Sequence, residues 1–72
     1  MESVMSTVAK IIEVSASSGK GFEEAIQSGL NKVAKSLKNV RGAWVSETKV
    51  RTEPNGKIKE WRVTLRVSFV VE

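Results

Sequence analysis

The 72-residue sequence contains no cysteine and no histidine. Disulfides, thiolate zinc sites, thiol nucleophiles and histidine pH switches are therefore excluded. Aspartate and tyrosine are also missing, so every acid is a glutamate. The residues left for chemistry are Glu, Lys, Arg, Ser and Thr, and no base exists to activate a serine. This composition favours a binding or scaffolding module over an enzyme. No apolar run is long enough to cross a membrane as a helix. Met1-Glu2-Ser3-Val4-Met5 starts acidic and lacks the apolar stretch of a signal peptide, so residues 1–5 read as a disordered leader and the protein as cytoplasmic.

Twelve Lys and Arg against eight Glu give a net charge of +4. The cations are spread along the chain, with no RRM-like aromatic pair and no Gly-Xaa-Xaa-Gly clamp, so nucleic acid is an unfavoured partner. A chain this short buries only about 60% of its unfolded surface. Without disulfides or a metal cage, the remaining way to stabilise it is association with copies of itself.

The spacing predicts one domain over residues 6–72, in the order β-α-β-β. Thr7–Val14 is rich in β-branched residues and reads as a strand. Ser15–Gly21 reads as a loop. Phe22, Ala25, Ile26, Gly29, Leu30, Val33, Ala34 and Leu37 form one apolar stripe at helical period. Gly21 is the expected N-cap, with Glu24 at N3. Gly29 on that stripe predicts close approach of a strand. Residues 40–53 read as a second strand. Pro54-Asn55-Gly56 reads as a hairpin turn, with Asn-Gly supplying positive φ. From Trp61 to Val71 the sequence alternates. Trp61, Val63, Leu65, Val67, Phe69 and Val71 point one way, and Arg62, Thr64, Arg66, Ser68 and Val70 the other. The expected fold is α+β: a three-stranded antiparallel sheet in order 1-3-2, with one helix on one face.

The sequence resembles the dodecin family. The resemblance runs from Val8 to Glu72 through Ile11-Ile12-Glu13-Val14, Ser17-Ser18, Phe22-Glu23-Glu24-Ala25-Ile26, Lys35-Ser36-Leu37-Lys38-Asn39-Val40-Arg41 and Trp61-Arg62-Val63-Thr64-Leu65-Arg66-Val67-Ser68-Phe69. It implies a hollow homododecamer of tetrahedral symmetry that stores or sequesters flavin, FMN or riboflavin, stacked between tryptophans at subunit interfaces. Two positions depart from that pattern. The family tryptophan falls on Gly42, with Trp44 two residues later on the same strand face. The family glutamine, which hydrogen-bonds the flavin edge, falls on Arg62, a donor with no acceptor. The candidate ligand residues are thus Gly42, Trp44, Lys49 and Arg62.

Other members of this kind bind calcium rather than flavin. Glu47, Glu53 and Glu60 are the acids that symmetry could gather round a hard cation. Lys32, Lys35 and Lys38 on the helix are a solvated face, or a contact for coenzyme A. Arg62 and Arg66 are expected to pair with glutamates of a neighbouring copy, or else to contact an anion or phosphate.

Overall fold

The computed structural model describes residues 8–71, so the expected leader over residues 1–5 lies outside the described residues. The elements are β1 (Val8–Ser18), α1 (Phe22–Ser36), β2 (Val40–Thr52) and β3 (Ile58–Val71). They form one antiparallel sheet in the order β1-β3-β2. The longest strand is central and the two others are its edges, as the alternation from Trp61 onward requires.

The core is small. Ala25 of α1 and Val63, Leu65 and Val67 of β3 are fully buried, and Ile12, Val14, Ala16, Phe22, Ile26, Leu30, Val33 and Val40 pack around them. Gly29 lies where α1 crosses β1 and β3. A Cβ there would sit 3.0 Å from Ala16 Cβ and 3.2 Å from Leu65 Cδ1, so the strand approach expected from the sequence is real. Ala34 is exposed rather than on the buried stripe.

Several local expectations are corrected. β1 does not stop at Val14. Ser15, Ala16, Ser17 and Ser18 continue it by pairing with Thr64, Val63, Arg62 and Trp61, so the ladder overrides their preference for loops. β3 starts at Ile58 rather than Trp61 for the same reason, opposite Thr52. Gly21 is the N-cap without a side-chain cap bond. Glu24 instead accepts the Ser18 hydroxyl and lies 3.7 Å from Lys20 Nζ. In the hairpin turn, Gly56 alone of the Asn-Gly pair has positive φ, at 90°. Its N–H donates to the Glu53 carbonyl at 2.8 Å. Asn55 contributes its side-chain oxygen, which accepts the Lys57 N–H at 3.0 Å. A second left-handed residue, Asn39 at φ 62°, turns the chain out of the helix, and its carbonyl accepts the Val70 N–H at 3.1 Å.

The helix is too short for the hairpin. Fifteen helical residues span about 22 Å, whereas the 14 residues of β3 span about 46 Å. α1 covers β1 and the middle of β3, and β2 is exposed along its whole length after Val40. Val8, Ile11, Trp44, Val45, Val50, Ile58 and Val71 are all left exposed. Among the described residues, more large apolar side chains are therefore left exposed than are fully buried.

Candidate functional site

The face of the sheet turned away from α1 carries the polar side chains of the alternating strands. The register arranges them in rows, taken across β1, β3 and β2. Ile11, Ser68 and Gly42 form the first, then Glu13, Arg66 and Trp44, then Ser15, Thr64 and Glu47, then Ser17, Arg62 and Lys49. Beyond the end of β1, Glu60 pairs with Arg51.

All four sequence-predicted site residues lie on this open face. For Gly42 and Trp44 the two-residue spacing is sufficient. Trp44 and Lys49 are five residues apart and would face opposite ways in a regular strand. A register shift between Val45 and Glu47 leaves Ser46 as an extra residue, and this bulge turns Glu47, Lys49 and Arg51 onto the Trp44 face. The Ser46 hydroxyl donates to the Thr64 carbonyl at 3.2 Å and fastens the bulge to β3.

The four residues do not form one cluster. The Trp44 row and the Lys49 row are four β3 residues apart, about 13 Å. Two small depressions result. Ile11, Trp44, Val45, Ser46 and Arg66 line one of about 260 Å³. Ser15, Glu47, Lys49, Arg62 and Thr64 line the other, about 150 Å³. Arg66 and Ile11, absent from the sequence-based site, are neighbours of Trp44. Only the cross-strand register brings them there.

Trp44 is 60% exposed. That leaves on the order of 100 Å² of indole in water, and covering it would contribute about 2–3 kcal/mol. The space over Gly42 is empty: an added Cβ would meet nothing within 4 Å.

Arg62 finds a glutamate within its own chain. Its Nε lies 3.3 Å from Glu60 Oε1, and the same oxygen lies 3.5 Å from Arg51 Nη1. Glu60 is held below its ordinary range, chiefly by the Ser17 hydroxyl; desolvation, next in size, opposes this, and the Arg62 and Arg51 charges add to the lowering. The sign follows from linkage. A carboxyl depressed in the folded state stabilises fully above its unfolded value, near 4.5, and loses that stabilisation as pH falls through the lower folded value. Thermal melts run downward from neutral pH should therefore show Glu60→Gln below wild type at neutral pH, with the gap closing in acid. A gap that stays constant with pH would remove Glu60 from the acid limb.

The three acids considered for calcium are dispersed. Glu47 faces Thr64, Glu53 is in the turn and Glu60 is occupied by two arginines. Among the described residues no group of three acids could hold a metal. A calcium site would have to be assembled from several copies.

The comparisons agree on the family. The dodecin family model matches residues 8–72. The tt0972 protein from Thermus thermophilus is 33% identical and superposes with a TM-score of 0.86, over 93% of this chain and 97% of that one. The dodecin from Streptomyces davaonensis is 25% identical, with a TM-score of 0.87 over 94% and 98%. A calcium dodecin from Mycobacterium tuberculosis, described as a calcium-chelating antigen with a novel calcium-binding site, is 29% identical, with a TM-score of 0.78 over 90% and 91%. No curated protein matches the sequence. With the strand order, the helix position and the family match over residues 8–72 in agreement, this chain belongs to the dodecin family.

Proposed function

We propose that the protein is a cytoplasmic homododecameric shell that sequesters a flavin-type ligand, FMN in preference to riboflavin, on the open sheet face and performs no chemistry on it. The observation that carries this reading is an exposed indole sharing a face with a patch of cations and hydroxyls. Trp44 offers the flat surface that an isoalloxazine ring stacks on. Lys49 and Arg62, two pleats along, suit a phosphate. Arg62 cannot accept a hydrogen bond from a flavin edge, but the Ser15 and Thr64 hydroxyls lining the same depression can. The flavin fits these residue types through a displaced platform rather than through the family's tryptophan position.

Assembly is supported by the exposed apolar side chains of β2 and the uncovered sheet edges. A few hundred Å² per chain buried between copies contributes several kcal/mol. Closed symmetry consumes edges without leading to fibres. The calcium alternative rests on the Mycobacterium relative alone and has no acid cluster among the described residues to favour it.

The test is a titration of the assembled protein with FMN and riboflavin, followed by flavin fluorescence, beside native mass spectrometry. The expected particle has about twelve subunits, and FMN fluorescence is quenched on binding. Loss of one ring stack is worth about 1–3 kcal/mol, so Trp44→Ala should weaken FMN roughly 5- to 150-fold. An FMN affinity that Trp44→Ala leaves unchanged rules out the platform. A stable monomer rules out the shell.

A further inference from the structure

Arg66 is a cation that the flavin reading leaves without a task. It stands directly opposite Trp44 in the β2–β3 register. With Ile11, Val45 and Ser46, the two line the larger depression, about 260 Å³. The other arginines near the far end of this face are engaged: Arg51 and Arg62 share Glu60. The Arg66 side chain has no ion pair or hydrogen bond among the described residues. Glu13 faces it from β1 in the register, yet the two form no ion pair. The guanidinium therefore keeps its charge and its donors next to an exposed aromatic ring.

A guanidinium and an indole side by side make a selective surface. Both are flat, so a planar ligand can lie against either. Only the guanidinium distinguishes charge. Its fork of donors matches a carboxylate or a similar oxyanion in two bonds, and it repels a cation. We propose that the Trp44–Arg66 cleft is a binding site for planar aromatic ligands that carry an anionic group on the ring or beside it. The proposal rests on the flavin reading only in placing the ligand on the open face. It adds a ligand class that a neutral isoalloxazine does not satisfy.

Three probes of one shape separate the contributions: naphthalene-2-carboxylate, naphthalene-2-methanol and naphthalen-2-ylmethylammonium, titrated calorimetrically into the assembled protein. The carboxylate should bind about 10- to 100-fold more tightly than the alcohol, and the ammonium more weakly than either. Arg66→Met keeps an apolar stem and removes the charge, so it should bring the carboxylate down to the affinity of the alcohol. Lys57→Met, in the hairpin turn, makes the same change in net charge and should leave the preference intact. Equal affinities in the wild-type protein, no binding of any probe, or a carboxylate preference that survives Arg66→Met would each overturn the proposal. A parallel FMN titration keeps the two readings apart. A carboxylate preference without FMN binding removes the flavin cargo alone, and FMN binding without a charge preference removes the anion site alone.

Discussion

Replacing Leu65 by alanine is expected to lower the thermal midpoint by roughly 10–30 °C. Leu65 is fully buried at the centre of β3, and its Cδ1 fills the space left by the missing side chain of Gly29. Among the described residues, the other apolar side chains buried as deeply are Ala25, Val63 and Val67. The cavity cannot close easily, because Gly29 sits on a rigid helix and Ala16 on a paired strand. Leucine-to-alanine changes at such positions cost about 2–5 kcal/mol. A folded chain of this size has on the order of 4–11 kcal/mol in total, and each kcal/mol moves the midpoint of a small domain by about 4–8 °C. Differential scanning calorimetry of the variant checks it. A shift below about 5 °C would show that the weight of the fold lies between subunits rather than in this core.

Gly42→Trp is the expected gain of function. Gly42 occupies the position at which the family resemblance places its stacking tryptophan, and an added side chain there enters open space. The backbone is not left-handed at this residue, so a β-compatible aromatic introduces no strain. The new indole would stand one pleat from Trp44 on the same face. A second stacking surface worth about 1–3 kcal/mol should tighten FMN roughly 5- to 150-fold. Riboflavin should gain by a similar factor, since the ring rather than the phosphate is contacted. Fluorescence titration of both ligands reads the effect directly. If neither tightens, the ring does not lie along β2.

The fold was largely legible because its strongest signals are periodic. The helical stripe from Phe22 to Leu37 and the alternation from Trp61 to Val71 each identify an element and its buried face, and Gly29 announces the helix–sheet approach. What could not be read was decided by pairing. Ser15–Ser18 favour loops in isolation and become strand only because Trp61–Thr64 lie opposite them. The site was legible in part for the same reason. Gly42 and Trp44 share a face by simple alternation. That Lys49 joins them depends on the extra residue at Ser46, which no periodicity announces. The neighbours of Trp44, Ile11 and Arg66, come from the far edge and the central strand, and only the register brings them together. Arg62 also meets a glutamate of its own chain, because Glu60 sits two residues before it on the same face.

The bulge at Ser46 also bears on how such a surface can change over evolutionary time. Removing that single amino acid would restore the regular pleat with Glu47 directly after Val45, so Glu47, Lys49 and Arg51 would keep their places opposite Thr64, Arg62 and Glu60 on the Trp44 face. A one-codon deletion there would thus spare both the indole and the phosphate end, whereas a deletion at any regular position between Trp44 and Lys49 would leave the bulge in place and slip the pairing by one residue. The strand is therefore expected to tolerate loss of a residue at the bulge and to tolerate it nowhere else between Trp44 and Lys49.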